Sequence, residues 1–387
     1  MNPSRIALTT TDNVFDAGGV ENSVMRIARG LVERGMQVDI LMLRDDEMTP
    51  FRPEGGNGIT PLPSLLDGLS LYRITPWIGS ELHGQRWIEM HYALLELARV
   101  RRYELMQAFY ATIAGFPTVY AARLLGIPSI VSIRGSDLVT DVFAPQWFSS
   151  LTWALQRATE LTAVSQEGLQ RARVLCDNPR KGRVILNSIR PEDFDEGVEQ
   201  LSVPRPVRPV IGSLAVLRAK KGVEVLLAAF GLLLRRIPGA HLLLVGYVIH
   251  DEQEHFQTLI EKYGLQGKVT LTGRIDRRKS LRYLRAMDVF AFSSLHDGCP
   301  NAVLEAMLAA CPIVATRAGA LPEMIDDGRE GMLVQAGSAL ELSEALVKML
   351  ELGEQRWHYG ERARERVLRQ FTLEREIEEY VEMYRAL

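Results

Sequence analysis

Two carboxylates in the C-terminal half of the chain stand close to a predicted helix start. Asp297 and Glu305 are separated by seven residues, with Pro300 and Asn301 between them. Asparagine is favoured at the N-cap of a helix, so we expect the helix to begin at Asn301. The first turn of such a helix presents unpaired N–H groups that can bind an anion. The pattern therefore predicts an anion-binding helix start flanked by two carboxylates.

The ligand that suits this segment combines phosphate with hydroxyl groups. We expect the N–H groups of Ala302, Val303 and Leu304 to receive the phosphate, and the two carboxylates to accept hydroxyls of a sugar or ribose. The alternative is that Asn301 and Glu305 only cap a helix and complement its dipole. On this segment alone the two interpretations are equally favoured.

The elements that must position these residues alternate between strands and helices. Strands are predicted at residues 5–10, 37–43, 104–109, 128–133, 161–165, 184–186, 210–214, 241–245, 269–272, 289–293 and 313–316, with helical periodicity between most of them. Such alternation predicts parallel, doubly wound sheets, which bind ligands at the carboxyl ends of their strands. Residues 45–63 are rich in Gly and Pro and are expected to form a long loop.

A cluster of prolines divides the alternating pattern into two series. Pro191, Pro204, Pro206 and Pro209 fall within one short stretch, which is typical of a domain boundary. We expect an N-terminal domain over residues 1–200 and a C-terminal domain over residues 201–365. Residues 366–387 are expected to form a terminal helix that crosses back to the N-terminal domain.

The acidic pair resembles the signature of the family-4 glycosyltransferases, in which two acids separated by seven positions are followed by Ala-Met. Asp297 stands where the family usually has Glu, and Ala306 and Met307 follow Glu305. The resemblance extends over nearly the whole chain. It implies the GT-B fold, an α/β architecture of two doubly wound Rossmann-like domains that face each other across a cleft. It also implies that Glu305 holds the ribose of the donor nucleotide and that Asp297 lies near the donor sugar.

Two cations and a glycine follow another predicted strand. Arg218, Lys221 and Gly222 resemble the family's Arg/Lys–Gly element, which implies that both cations bind the donor diphosphate. Negative charge develops on the leaving phosphate, and fixed cations at that point lower the barrier. The alternative is a basic helix start on the surface, which the helix dipole disfavours.

Two segments of the N-terminal half also resemble family elements. Gly18 and Gly19 match its N-terminal glycine loop, which allows the backbone to approach a phosphate or sugar closely; a plain turn is the alternative. Arg134 begins an Arg-Gly-Ser-Asp segment in which many members have His. Arginine cannot act as a base at neutral pH, so Arg134 is expected to contribute only electrostatically.

The resemblance thus implies two sets of site residues. Catalytic roles are expected for Arg218, Lys221, Asp297 and Glu305. Donor-binding roles are expected for Gly18, Gly19, Arg134, Arg274, Asn301, Ala302 and Val303, with the nucleotide base near Gly273 and Arg274.

Composition and charge exclude several classes of protein. The 45 basic and 48 acidic residues leave a formal charge of −3, which provides no basic excess for general nucleic-acid binding. Three cysteines without C-x-x-C spacing favour a reducing compartment over a disulfide framework or a zinc site. The seven histidines follow no metal-ligand pattern, so neither a metal nor a cofactor is expected. Neither a signal peptide nor a membrane-spanning segment is expected from the apolar pattern.

The resemblance implies a retaining, metal-independent hexosyl or glycosyl transferase, and the cysteine content favours a cytoplasmic one. It would move a sugar from a nucleoside diphosphate donor to a hydroxyl acceptor, which could be a glycan, a lipid or a small molecule. The alternatives are a nucleotide-sugar epimerase and a noncatalytic binding protein with the GT-B fold. Arg99, Arg101 and Arg102 favour a solvated helix end, and peripheral contact with the inner face of a membrane is the weaker alternative.

Overall fold

A computed structural model of the chain describes residues 3–11, 19–43, 59–64, 66–74, 83–194 and 209–387, with only the backbone of residues 83–90. The chain divides into two compact units, one formed by Met1–Asn187 with Leu373–Leu387 and the other by Ser188–Thr372. Each unit has its own β-sheet covered by helices. The predicted α/β architecture with two parallel-sheet domains is confirmed.

The first unit is built on an eight-stranded sheet with the order β3-β4-β2-β1-β5-β6-β7-β8. Its strands are β1 (Arg5–Thr10), β2 (Gln37–Leu43), β3 (Ile59–Leu62), β4 (Leu69–Ile74), β5 (Leu105–Phe109), β6 (Ser129–Ile133), β7 (Glu160–Ala163) and β8 (Arg183–Val184). Its helices include α1 (Gly19–Glu33), α2 (His83–Arg101), α3 (Gly115–Leu125), α4 (Ser136–Val139), α5 (Pro145–Arg157) and α6 (Gln166–Leu175). Every pairing is parallel except that of β3 with β4.

Helices cover both faces of this sheet because successive side chains on a strand point to opposite sides. On β1, Ile6 and Leu8 belong to the apolar core that includes Val24 of α1. Ala7, between them, belongs to a separate core that includes Leu94 of α2. All three β1 residues are fully buried, as expected for a strand covered on both faces.

The second unit holds a six-stranded, fully parallel sheet with the order β11-β10-β9-β12-β13-β14. Its strands are β9 (Val210–Leu217), β10 (His241–Val248), β11 (Val269–Leu271), β12 (Val289–Phe292), β13 (Ile313–Thr316) and β14 (Met332–Val334). Its helices are α7 (Val223–Leu234), α8 (Gln253–Lys262), α9 (Ser280–Arg285), α10 (Asn301–Leu308), α11 (Leu321–Met324), α12 (Ala339–Glu351) and α13 (Trp357–Gln370). Because all six strands run the same way, the segments that follow them begin at one edge of the sheet.

The last helix, α14 (Leu373–Arg385), belongs to the first unit. The expected boundaries after residues 200 and 365 are therefore displaced to Asn187/Ser188 and Thr372/Leu373. The chain passes between the units at these two boundaries, and the segments on the second-unit side of each are hydrogen-bonded to one another. The Ile189 N–H donates to the Phe371 carbonyl at 2.9 Å. This contact joins residues far apart in the sequence. Pro204 and Pro206, on which the expected boundary rested, lie outside the described residues.

The expected long loop over residues 45–63 is wrong at its C-terminal end. Residues 59–62 form β3, which pairs antiparallel with β4 at the edge of the first sheet. Pro61 lies within β3, and an edge strand tolerates proline because one side of its backbone needs no sheet partner. Residues 44–58 lie outside the described residues.

Candidate active site

The predicted cations lie on a tight turn that follows β9. Ala219–Lys221 form one turn of 3-10 helix, and Gly222 then adopts a φ of +66°. A Cβ at Gly222 would overlap the carbonyl oxygen of Ser293, so the close approach of these two backbones requires glycine. The turn is also held to the segment after β12 by a 3.0 Å hydrogen bond from the Leu295 N–H to the Lys220 carbonyl.

Lys221 and Asp297 form an ion pair. Lys221 Nζ donates to Asp297 Oδ2, and both side chains are mostly buried. The structure thus brings together two residues that the sequence placed in separate motifs. Asp297 Oδ1 accepts no hydrogen bond from the residues the structure describes.

Arg218 is a cation without an acidic partner in the described ranges. It is half-buried and follows the last residue of β9. Its Nε is buried and makes no hydrogen bond. Among the described residues no carboxylate forms an ion pair with it. Arg218 and Lys221 therefore give this edge of the sheet a local excess of positive charge.

Glu305 is buried in the second turn of α10, with 3% of its surface exposed. Oε1 accepts a 2.8 Å hydrogen bond from Arg277 Nε, whereas Oε2 is buried and has no partner. The Arg277 guanidinium lies over the ring of Phe194, 5.0 Å from its centre. One carboxylate oxygen is thus occupied, and the other can accept a hydrogen bond from a ligand.

The start of α10 differs from the prediction by one residue. Pro300 has extended backbone angles and stands at the N-cap, so Asn301 is the first residue of the helix rather than its cap. The N–H groups of Val303 and Leu304 are directed to the Pro300 carbonyl, at 3.1 and 3.5 Å. The expectation that Val303 offers an unpaired donor is therefore wrong. Ala302, on the preceding position, makes no backbone hydrogen bond of this kind.

Arg274 lies near the end of β10. Its Nη2 donates to the Tyr247 hydroxyl at 3.0 Å, and its guanidinium lies 4.9 Å from the centre of that ring. Gly273 has a φ of +74° and forms a bridge with Gly246. An exposed arginine stacked on a tyrosine offers a flat surface to a nucleotide base. Base binding here stays a prediction.

The N-terminal candidates belong to the first unit. Gly19 is exposed and begins α1, while Gly18 lies outside the described residues. Arg134 follows β6 and is 7% exposed, and its Nη2 donates to Asn187 Oδ1 at 2.7 Å. The structure thus gathers Arg218, Lys221, Asp297, Glu305, Arg274, Asn301, Ala302 and Val303 in the second unit, and Gly19 and Arg134 in the first.

Sequence reasoning did not single out Arg277, Phe194 or Tyr247. Arg277 stands in a basic run, 277–279, that by itself is typical of a solvated surface. Its contact with Glu305 bridges 28 positions of the chain. No local pattern in the sequence signals such a pair, because the two residues approach only when α9 and α10 pack together.

Two family models match the chain. Residues 199–366 match the model described as "Glycosyl transferases group 1", and residues 18–189 match the "Glycosyl transferase 4-like domain". Between them they cover both units. The chain belongs to the family-4 glycosyltransferases. The predicted family is confirmed, and the two structural units correspond to its two sequence domains.

Curated relatives of this glycosyltransferase are moderately similar. A lipopolysaccharide core biosynthesis glycosyltransferase of Rhizobium meliloti, LpsE, is 28% identical over 57% of this chain and 60% of the relative. An N-acetyl-alpha-D-glucosaminyl L-malate synthase of Bacillus anthracis is 23% identical over 75% of this chain and 77% of the relative. The first of these alignments spans less than two thirds of the relative's length.

Solved structures show the fold of this glycosyltransferase. A sucrose-phosphate synthase from Thermosynechococcus elongatus superposes with a TM-score of 0.82, at 20% identity, over 99% of this chain and 98% of that chain. HepE of Anabaena in complex with UDP-glucose gives a TM-score of 0.76 at 18% identity, over 99% of this chain and all of that chain. The GT-B fold is thereby confirmed.

Two findings on the described residues concern metal binding and membrane crossing. No group of three or more His, Cys, Asp or Glu side chains is arranged to hold a metal ion in the described ranges. No helix within those ranges is long and apolar enough to cross a membrane. Arg101, one of the arginines considered for membrane contact, instead hydrogen-bonds the buried Asp39 carboxylate at 2.5 and 2.7 Å.

Proposed function

We propose that this glycosyltransferase is a retaining, metal-independent enzyme that transfers a sugar from a nucleoside diphosphate donor to a hydroxyl acceptor. The bond between the anomeric carbon and the diphosphate oxygen breaks, and its electron pair leaves with the diphosphate. The acceptor oxygen bonds the same face of that carbon, and its proton passes to the departing phosphate. This route needs no protein nucleophile.

The observation that carries this proposal is the second oxygen of Glu305. Oε2 is buried with no hydrogen-bond donor in the described part of the chain, and an unsatisfied buried carboxylate oxygen is unfavourable. A ribose hydroxyl would supply the missing donor. Arg277 holds Oε1, so the carboxylate is already oriented before the nucleotide arrives.

The diphosphate would take its place beside Arg218 and Lys221. Arg218 has no acidic partner among the described residues, and Lys221 is balanced by Asp297. A diphosphate would share the Lys221 ammonium with Asp297, whose Oδ1 can accept a hydroxyl of the donor sugar. Two cations provide the charge that a divalent metal supplies in other transferases.

The relatives support a nucleotide-sugar donor and leave a range of acceptors. HepE is described as a complex with UDP-glucose, and the two relatives are named for a lipopolysaccharide core and for L-malate. We place acceptor binding on the first unit.

The three cysteines are unpaired and buried, which supports a reducing compartment such as the cytoplasm. Arg101 is bound to Asp39 and is therefore not available for peripheral contact with a membrane.

Incubation with a panel of nucleotide sugars tests this function. Slow release of free sugar and nucleoside diphosphate is expected, because a transferase without its acceptor passes the sugar to water. Interconversion of one nucleotide sugar into another would instead establish an epimerase, and binding without any turnover would establish a noncatalytic protein. Calorimetry with uridine, guanosine and adenosine diphosphates would identify the preferred base.

A further inference from the structure

Arg134 is a buried cation that has no carboxylate partner among the residues the structure describes. Its guanidinium lies 5.6 Å from the centre of the Phe109 ring, and Nη2 donates to Asn187 Oδ1. Nε is buried and makes no hydrogen bond. Within the described part of the chain, no Asp or Glu forms an ion pair with this guanidinium. A neutral amide oxygen is thus its only side-chain hydrogen-bond acceptor there.

Two acids of the same unit, Glu376 and Asp137, are bound to other donors. Glu376 accepts hydrogen bonds of 2.9 and 3.1 Å from Arg26. Asp137 accepts three backbone N–H groups, one of which belongs to Arg134 itself, so its carboxyl is bound to the backbone and not to the guanidinium. Burial also raises the pKa of the Asp137 carboxyl, which weakens it as a counter-charge.

A buried guanidinium without a counter-charge destabilises a protein unless something else compensates it. Arginine stays protonated under all ordinary conditions, so Arg134 cannot lose its charge to relieve the cost of burial. Nε and one Nη form the edge of a guanidinium that binds two oxygens of a carboxylate or phosphate side by side. Since Nε of Arg134 has no partner, that edge can receive an anionic group of a ligand.

Ser23 lies between Asn187, the partner of Arg134, and the start of α1. The buried Ser23 hydroxyl is 2.9 Å from the Gly19 carbonyl and 3.5 Å from Asn187 Oδ1, the atom that Arg134 also contacts. Gly19 is exposed, so the start of α1 reaches the surface of the first unit. The N-terminus of α1, a helix of 15 residues, adds partial positive charge at the same place.

We propose that Arg134 binds a carboxylate or phosphate group that a substrate carries in addition to the donor diphosphate. This inference rests on the proposed transferase function and specifies its substrate class. Arg218 and Lys221, in the second unit, are the cations that we assign to the diphosphate. The additional anion belongs either to the transferred sugar, as in a uronic acid, or to the acceptor.

The first test measures the binding of inorganic phosphate to the full-length chain at constant ionic strength. Arg134→Gln removes the charge and Arg134→Lys keeps it, while Arg157→Gln removes an exposed arginine at the end of α5 as a control. We expect calorimetric phosphate affinity to fall at least about tenfold in Arg134→Gln, because a charge-assisted bidentate contact is lost. Arg134→Lys should retain most of it, and the control should match the wild type.

Equal phosphate affinity in Arg134→Gln and wild type would overturn the proposal, as would a wild type that binds no phosphate. If Arg134→Gln does not fold, Arg134→His takes its place, because many family members carry histidine there. Titration with UDP separates this inference from the proposed function. UDP affinity should be unchanged in Arg134→Gln, and an equal loss for UDP and phosphate would assign Arg134 to the diphosphate instead.

Transfer assays then identify which substrate carries the anion. If the donor carries the anion, we expect the wild type to prefer UDP-glucuronate to UDP-glucose and Arg134→Gln to lose this preference. If the acceptor carries the anion, we expect the wild type to prefer a phosphorylated acceptor to an unphosphorylated one and Arg134→Gln to lose that preference. A variant that keeps wild-type preference in both arms would overturn the proposal. Failure of uridine, guanosine and adenosine diphosphates alike to bind the wild type would instead contradict the proposed function.

Discussion

Arg277 holds one oxygen of Glu305 and leaves the other without a partner. The 2.8 Å contact from Nε to Oε1 and the stacking of the guanidinium on Phe194 restrict the rotation of both side chains. Glu305 is buried on an apolar helix, where an unconstrained carboxylate would turn toward any available donor. Arg277 thus orients the carboxylate that we assign to the ribose, although it belongs to no recognised motif.

Replacing Arg277 should weaken nucleotide binding, although Arg218 and Lys221 would still contact the diphosphate. Arg277→Met leaves Glu305 buried and unpaired, so we expect UDP affinity to fall by about 1–3 kcal/mol. Arg277→Lys should recover part of this loss. The matched control is Arg278→Met, because Arg278 is the exposed neighbour whose 3.5 Å ion pair joins it to Asp276. Calorimetry that finds Arg277→Met and Arg278→Met equal would remove Arg277 from this role.

Glu305 should discriminate nucleotides by their ribose hydroxyls. Glu305→Ala removes the acceptor Oε2, and a charged hydrogen bond is worth ~1.5–3 kcal/mol. We expect that loss for UDP and almost none for a dideoxy-ribose UDP analogue, which has no hydroxyl to donate. The wild type should already bind the analogue as weakly as the variant binds UDP. Equal losses for both nucleotides would show that Glu305 does not contact the ribose.

Gly222 should be intolerant of any side chain. Gly222→Ala places a Cβ against the Ser293 carbonyl oxygen, so the turn with Arg218 and Lys221 must shift. We expect overpacking to lower the free energy of unfolding by ~1–3 kcal/mol, and we expect a clear loss of UDP affinity. Gly264 has the same φ of +66° but nothing within 4 Å of an added Cβ. Gly264→Ala should therefore cost only the left-handed strain, about 1 kcal/mol, and leave UDP binding intact.

If Gly264→Ala impaired UDP binding as much as Gly222→Ala, backbone strain and not the contact with Ser293 would be the cause. Thermal unfolding in parallel separates a shifted turn from a globally unstable variant, because only the former leaves the transition temperature near that of the control.

The terminal helix should depend on one buried ion pair. Glu376 on α14 accepts two hydrogen bonds from Arg26 on α1, and both side chains are buried. Glu376→Ala removes the carboxylate that the buried Arg26 guanidinium contacts through two hydrogen bonds, and breaking a buried ion pair typically costs ~3–5 kcal/mol. Glu379→Ala breaks an exposed pair with Arg375 on the same helix and should cost about 0.3–0.5 kcal/mol. Denaturant unfolding with similar midpoints for the two variants would contradict this difference.

Turnover should persist in excess chelator. Arg218 and Lys221 place two positive charges at the carboxyl edge of the second sheet, where the diphosphate is expected. We therefore expect nucleotide-sugar hydrolysis rates to agree within about twofold with and without EDTA, since no metal need polarise the leaving group. Complete loss of turnover that added magnesium or manganese restores would show that the two cations are insufficient.

The sequence by itself determined the family and the chain positions of most candidate residues. Alternating strand and helix periodicity indicated parallel sheets, and the spacing of Asp297 and Glu305 indicated the donor-binding segment, because such patterns lie within a few consecutive residues. The structure confirmed both sheets. Sequence analysis missed β3, β4 and β14. The glycines and prolines before β3 and β4 resemble a loop, and an edge strand tolerates the proline of β3.

Only the tertiary structure decided which side chains meet. The pairing of Arg277 with Glu305, of Lys221 with Asp297 and of Arg134 with Asn187 joins separate elements. Each pair depends on which strands are neighbours in a sheet and on how the helices pack, and these are properties of the whole core. The boundary at Asn187 has the same origin, because a hydrogen bond from Ile189 to Phe371 ties two distant segments into one unit. Local patterns carry no record of such contacts, so the partners of the motif residues become visible only after the chain has folded.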